Sequence, residues 1–294
     1  MQKILSGKKV AAKIKDEVKA QISKMRSHNI IPTLKIIIVG IDSASEYYAK
    51  NILKNSKAVG IKADLLKFPQ EIKEEILIAK IKELNTNTDI HAIQIMMPLP
   101  KNISFELISN TIDPKKDVDC LNPINMGRLV LGKNTFQPNT PAAVLKLLEY
   151  YNLDTDGKKV VILGRSDIVG KPLANLLIRK NEPGNATVTI CHSHTKNLTQ
   201  ITKSADILIV AIGKPKFITR KFVSKHSIII DVGINKILDK DTKQEKYVGD
   251  VDFDDVEAEV TAITPVPGGV GSITTAALLA NISKASRNII SDKK

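Results

Sequence analysis

The chain has 294 residues, with 44 lysines and arginines against 31 aspartates and glutamates, for a formal charge of +13. At about 100–200 residues per domain, that length suggests two domains or one large one. With 43% hydrophobic and 26% charged residues the chain is too apolar for disorder, and runs such as Ile36–Val39 and Ile207–Ile212 are far too short to span a bilayer. Two cysteines, Cys120 and Cys191, make neither a disulfide framework nor, by themselves, a zinc site, and a reducing compartment fits them best. The positive charge keeps a nucleic-acid binder open as a class. Against it, only six basic residues are arginines, the lysines are spread along the whole chain, and there is no tryptophan for base stacking. Dispersed lysine reads as a solvated surface that also favours small polyanions, such as a nucleotide or a polycarboxylate.

In chain order, the N-terminus lacks the apolar core of a secretory signal and carries Asp16 and Glu17, so it reads as the mature start of a cytoplasmic protein. Val10, Ile14, Val18 and Ile22 are spaced as one face of an amphipathic helix. Leu34–Val39, Ala63–Phe68 and Ile90–Ile95 read as buried strands, with helices over Ser45–Val59 and Ile72–Leu84 between them. Asp113 to Pro141 is dense in turn formers, and Ala142–Tyr151 then looks helical. A second series follows at Lys159–Leu163, Thr187–Cys191, Ala205–Ala211 and Ser227–Val232, and a last helix covers about Ile273–Ser286. Strands alternating with helices imply βαβ units, parallel sheets and right-handed crossovers. The reading is an α/β protein of two domains: residues 1–140 as an N-terminal catalytic domain, onto which the last helix (about 273–290) folds back, and residues 141–294 as a Rossmann-like nucleotide-binding domain.

Lys158–Leu177 carries the best local signal for a ligand. A buried strand ends at Gly164, a short turn follows, and Gly170 stands where a helix would begin, a layout that aims backbone N–H groups at a phosphate. Ser166 occupies the middle position of the usual Gly-x-Gly-x-x-Gly, so an ordinary βα turn also fits. The next strand sharpens the choice. It ends Cys191-His192-Ser193-His194, with no acid for the ribose hydroxyls, whereas Arg165 and Ser193 could meet a 2′-phosphate through a charged fork and a hydroxyl. The expected cofactor is therefore NADP rather than NAD. His192 and His194 would point to one side of an extended segment, but without a third ligand nearby no metal is expected.

These residues sit within a longer series of matches. ILSGKKVA (4–11), SASEYYAKN (43–51), MMPLP (96–100), PKKDVDCLNPINMGRL (114–129), FQPNTP (136–141), GRSDIVGKP (164–172), TVTICHS (187–193), ADILIVAIGKP (205–215), IIDVGIN (229–235), GDVDF (249–253) and ITPVPGGVGSITTAALL (263–279) follow in order. On them the chain resembles the bifunctional methylenetetrahydrofolate dehydrogenase/cyclohydrolase family along almost its whole length. The resemblance implies a two-domain α/β homodimer with a cleft between its domains. It implies oxidation of 5,10-methylenetetrahydrofolate with NADP, followed by hydrolysis to 10-formyltetrahydrofolate, with no membrane or nucleic-acid partner. It places the cofactor on Gly164, Arg165, Ser166, Ser193 and Ile234, and the folate on Tyr48, Asp119 and a loop containing Pro267, Gly268, Gly269 and Gly271, with Tyr48 and Asp119 at the chemistry.

The sequence departs from that family where proton transfer is expected. The family's Tyr-x-x-x-Lys pair sits on a helix, where a spacing of four at about 100° per residue puts both groups on one face. Counting from Tyr48, the lysine position is Ile52; Lys50 and Lys54 lie two residues to either side, on the far face. The family's glutamine before Pro-Leu-Pro is here Met96, while Gln94 shares its face roughly 6–7 Å further back. Cys120 replaces a glycine, Asn139 a small cysteine and Ser272 a proline. An apolar Ile–Met pair offers no titratable group for water activation, so the expectation is a dehydrogenase with weak or lost cyclohydrolase activity. A fully bifunctional enzyme with a substitute group, and a noncatalytic folate- or nucleotide-binding relative, are the alternatives.

Overall fold

The computed structural model describes residues 3–40, 42–238 and 244–291. The chain divides into two compact units, one of Ala12–Asn139 with the residues from Thr275 onward, the other of Thr140–Thr274 with the residues up to Ala11. The first residues, expected with the N-terminal domain, thus fall with the C-terminal unit. Backbone hydrogen bonds from Leu5 N to Ile263 O (2.9 Å) and from Gly7 N to Gly268 O (2.8 Å) tie them there.

The N-terminal unit alternates helix and strand: α1 (Gly7–Arg26), divided between the units after Ala11, β1 (Thr33–Val39), α2 (Ser43–Val59), β2 (Lys62–Phe68), α3 (Glu74–Thr86), β3 (Ala92–Ile95), α4 (Phe105–Thr111) and α5 (Pro123–Val130), with α6 (Asn139–Tyr150) starting at its edge. The three strands form a parallel sheet in the order β2-β1-β3. Val10, Ile14, Val18 and Ile22 are all buried on α1, as an apolar stripe at that spacing requires. β1 and β3 are near-continuous apolar runs because helices cover both faces of such a sheet. Ile37, Leu77, Ile81, Ile93, Ile95 and Ile108 make the core between sheet and helices, each contributing about 1.5–3 kcal/mol of burial. Helix α2 starts on Asp42, whose carboxylate accepts from Ser45 N at 2.7 Å, and stops at Gly60, where φ is +87°.

The turn-rich stretch after residue 113 is more ordered than its composition suggests. It holds α5, with Asn122 as N-cap to Ile124 N (2.8 Å) and Pro123 at the first helical position, where its missing N–H costs nothing. Ahead of it, the buried Lys116 donates through Nζ to the carbonyls of Leu84, Asn85 and Asn87 (2.6–2.9 Å), a cation on the carbonyl-rich end of α3. Asp117 bridges to Ile93 and accepts from Leu121 N and Asn122 N at 2.9 Å. These contacts lay the segment carrying Asp119 alongside β3.

The C-terminal unit continues with β4 (Lys159–Leu163), α7 (Gly170–Leu177), β5 (Thr187–Cys191), α8 (Leu198–Lys203), β6 (Ile207–Val210), β7 (Ile228–Asp231), β8 (Asn235–Leu238), β9 (Glu245–Val248), α9 (Phe253–Val256) and β10 (Ala262–Ile263); α10 (Val270–Ser291) is divided between the units after Thr274. Five parallel strands run in the order β10-β7-β6-β4-β5. The chain passes from β4 to β5 on one side and then to β6 on the other, so the strand order reverses between β4 and β6, the place where such sheets bind ligands. The antiparallel pair β8–β9 was not expected from the sequence; its residues are half-buried or exposed, so no apolar alternation announces it. Among the described residues no helix is long and apolar enough to cross a membrane.

Candidate functional sites

In the C-terminal unit the turn after β4 is built by steric exclusion. Gly164 has φ of +129°, and a Cβ there would lie 2.2 Å from the carbonyl oxygen of Ala211; a Cβ on Gly170 would lie 2.1 Å from Gly164 O. Both positions therefore demand glycine, and together they bring the first turn of α7 against the end of β4. Ser166 accepts from Val169 N through Oγ at 3.2 Å and from Lys171 N through its carbonyl at 3.1 Å, so its side chain shapes the turn while remaining exposed.

Strand register brings the second pair of expected residues to one edge. Leu163 pairs with Cys191 across β4 and β5, and Arg165 and Ser193 each stand two residues beyond that pair, both exposed. Ser193 sits in a turn closed by His192 N donating to Thr195 Oγ1 at 2.8 Å. The His192 and His194 rings lie 6.1 Å apart, and no group of three metal-ligating side chains occurs among the described residues. These features fit a nucleotide with a phosphorylated ribose: obligatory glycines where a backbone must approach closely, then a guanidinium and a hydroxyl past the strand ends.

Ile234, expected at the nicotinamide end, is 62% exposed on the loop after β7. Two buried aspartates hold that loop. Asp231 accepts from the backbone N–H groups of Gly233, Asp250 and Val251 (2.9–3.1 Å), and Asp250 accepts from Ile212 N, Gly213 N and Asn235 Nδ2 (2.7–2.9 Å). Burial pushes the Asp231 carboxyl up to about 7, the backbone donors working against it and the Asp250 charge adding to it. The sequence reading quoted both segments but gave neither aspartate a role. In the loop expected to meet the folate, Gly268 has φ of +107° and a Cβ on Gly269 would lie 2.4 Å from Pro265 O, so the chain folds tightly back on itself; Pro267 and Gly271 are exposed.

In the N-terminal unit Tyr48 is half-buried on α2. One turn on, Ile52 is 0% exposed, and Met96, just past β3, is 5% exposed; Lys50 and Lys54 are exposed on the other side of the helix. Within α2, no lysine shares the face of Tyr48 and Ile52. Asp119 is part-buried, and here the structure assembles side chains the sequence had not joined. Gln94 Nε2 donates to Asp119 Oδ2 at 2.9 Å, and Asn139 donates to Oδ1 through Nδ2 at 2.5 Å and through its backbone N–H at 3.4 Å. Burial pushes the Asp119 carboxyl up to about 6; the Gln94 and Asn139 bonds oppose that and the Asp117 charge reinforces it. The next residue, Cys120, is buried with φ of +57°, a left-handed conformation that explains why glycine suits the position and that a non-glycine residue adopts at a cost of roughly 1–3 kcal/mol.

Comparison with known proteins supports both units. The model of the tetrahydrofolate dehydrogenase/cyclohydrolase catalytic domain matches residues 5–119, and that of the NAD(P)-binding domain of the same proteins matches residues 138–289. The chain is 45% identical over 290 residues to the bifunctional protein FolD of Chlorobium phaeobacteroides, covering 97% of this chain and 98% of that one. Among solved structures, the FolD methylenetetrahydrofolate dehydrogenase/cyclohydrolase of Campylobacter jejuni superposes with a TM-score of 0.91 at 41% identity, covering 97% of this chain and 98% of that one. The Trypanosoma brucei enzyme, solved with NADP and an inhibitor, gives 0.91 at 32% identity and 99% coverage of both chains.

Proposed function

Since the chain belongs to the tetrahydrofolate dehydrogenase/cyclohydrolase family, we propose that it oxidises 5,10-methylenetetrahydrofolate to the methenyl form with NADP and hydrolyses that product weakly or not at all. The observation that carries the second half is Ile52, one turn from Tyr48 and 0% exposed, with Met96 also buried. Hydrolysis of the methenyl bridge requires water activation and proton transfers about a tetrahedral intermediate. General acid–base help of that kind is worth about 10²–10⁴-fold, and neither the sec-butyl side chain of Ile52 nor the thioether of Met96 can give it. Bound NADP would supply the hydride acceptor. Gly164 and Gly170 fold the turn tightly at the start of α7, whose N-terminal end would face the phosphates, and Arg165 and Ser193 supply charge and hydroxyl for the 2′-phosphate. Asp119 offers a carboxylate acceptor to the folate ring, and Tyr48 supports the bound folate. Dehydrogenation asks the protein mainly to align two carbons, which a site without a titrating lysine can still do.

The test is one absorbance time course with methylenetetrahydrofolate and NADP, because reduced cofactor and methenyl-folate have separable signals. Methenyl-folate should accumulate in step with NADPH and decay at the buffer rate. Ile52→Lys with Met96→Gln should then speed the decay by roughly 10²-fold or more. Decay well above the buffer rate in the unmodified protein would instead mean a substitute group completes hydrolysis. The same reading carries a cytoplasmic homodimer, checked by sedimentation of the purified chain.

A further inference from the structure

We propose that Gln94 and Asn139 are positioning residues for Asp119: their amide N–H groups hold its carboxylate ionised and fixed as the acceptor for ring N–H donors of the folate, a task that needs no neighbouring cation. The inference rests on the folate reading above.

The orientation of each amide follows from its other partners. Gln94 is 3% exposed, and its Nε2 lies 2.9 Å from Asp119 Oδ2 and 3.2 Å from Ile95 O, while its buried Oε1 has no hydrogen-bond partner. Turning the amide over would set Oε1 against two acceptors, so the donor end faces the carboxylate and the stranded carbonyl is the cost of keeping it there. Asn139 is 5% exposed, and turning its amide over would set Oδ1 against the Asp119 carboxylate. Asn281 Nδ2, on α10, has two hydrogens for three acceptors, the carbonyls of Val118 and Gln137 at 2.9 Å and Asn139 Oδ1 at 3.1 Å, so its bond to Oδ1 is a shared one that adds to this orientation.

Oδ1 receives both Asn139 donors, whereas Oδ2 receives only the Gln94 amide and keeps a further lone pair. Asp119 is the part-exposed member of the group, so that Oδ2 lone pair is the one left for a ligand. The charge that acts on it is Asp117, on its own segment; on α10, Lys284 is bound through Nζ to Thr135 O at 2.5 Å beside the Phe136 ring and feels Arg287 and Cys120. β3 and the start of α6 contribute only amides. Burial and Asp117 both favour a proton on Asp119, and the amide donors oppose it. A protonated Asp119 loses acceptor capacity toward the folate, so the amides govern substrate binding rather than the chemical step.

The experiment is a carboxyl carbon NMR titration of the full-length protein labelled at aspartate, with Asp119→Asn used to assign the resonance. In Gln94→Leu and, independently, in Asn139→Ala, the Asp119 midpoint should rise by about one pH unit. At neutral pH the KM for methylenetetrahydrofolate should rise roughly tenfold with kcat within about twofold, and the defect should fade as pH is raised past the new midpoint. A merely structural role would give a pH-independent loss. A midpoint unmoved in both variants overturns the proposal. Should the unmodified protein fail to turn over methylenetetrahydrofolate while the midpoints still move, the hold on Asp119 stands and the folate reading falls.

Discussion

The nucleotide turn and the Tyr48 helix are both places where a small molecule is to be held, yet they are built from different materials. The turn after β4 is made of backbone: Gly164 and Gly170 are fixed because any Cβ would lie within about 2.2 Å of a main-chain oxygen. The face of α2 is made of side chains carried on a regular helix, and a helix is indifferent to whether Ile or Lys stands at position 52. Backbone-built sites resist change because substitution breaks the fold locally. Side-chain-built sites can lose a titrating group and keep every secondary-structure element. That difference explains how, on the function proposed above, one chain would combine a glycine-built nucleotide turn with an apolar Ile52–Met96 pair.

The sharpest way to break the comparison is to treat the two kinds of position alike. Gly164→Ala adds both the left-handed φ penalty and a clash with Ala211 O, so it should destabilise the protein by about 3 kcal/mol or more and abolish NADP binding. Gly132→Ala, at φ of +66° with nothing within 4 Å, should cost only about 1 kcal/mol and leave NADP binding unchanged. Thermal melts and cofactor titration of the two variants would decide. Equal effects would mean that close approach at Gly164 is not what the turn depends on.

A smaller effect tests the exposed residues beside the turn. Arg165→Ala removes a charge-assisted contact worth about 1.5–3 kcal/mol, so affinity for NADP should fall roughly 10- to 100-fold while that for NAD changes little. Ser193→Ala should act in the same direction by less. Parallel losses for NADP and NAD would place Arg165 away from the 2′-phosphate, despite its standing level with Ser193 past the paired Leu163 and Cys191.

The sequence carried most strands of both sheets, though not the two-residue β10, because β1, β4, β6 and β7 are largely buried and read as near-continuous Ile/Val/Leu runs. It hid α5 among turn formers, since Asn122 and Pro123 serve equally as loop residues and as a helix start. It hid β8–β9, whose two faces are both partly wet. At the site, the placing of Ile52 one turn from Tyr48 was legible because helix periodicity is local arithmetic. The Gln94–Asp119–Asn139 group was not. Gln94 read as an amide set too far back to matter, because its partner comes from a segment 25 residues on and is brought beside β3 by the Ile93–Asp117 bridge and the Lys116 cap. Strand alternation gives a face; it does not give what the next segment lays against that face. A paired Gln and Asn flanking a segment with two aspartates was the available signal.

The last expected effect is a pH dependence and concerns Asp231, the one strongly perturbed acid among the described residues of the C-terminal unit. Its carboxyl is raised from 3.8 to about 7 by burial, so the folded protein binds this proton more tightly than the unfolded chain does. Stability from this group is therefore complete below about pH 4 and declines as pH rises toward 7, by on the order of 3 kcal/mol. Asp117 and Asp119, also raised, tilt the curve the same way, so the diagnostic quantity is the difference between the protein and a variant. Asp231→Asn is close in shape to the protonated acid and cannot ionise. Its Oδ1 can still accept from Gly233 and Asp250, but its Nδ2 would face the Val251 N–H that Oδ2 now accepts, and Gly249 is packed too closely for the amide to move aside. The variant should therefore start lower at acid pH and lose less on the way to neutrality, so that its denaturant midpoint converges on that of the unmodified protein near pH 7.5. Curves that run parallel from pH 4 to 8 would mean that the three backbone donors keep Asp231 ionised throughout, and that this loop, like the turn after β4, is held by main-chain geometry alone.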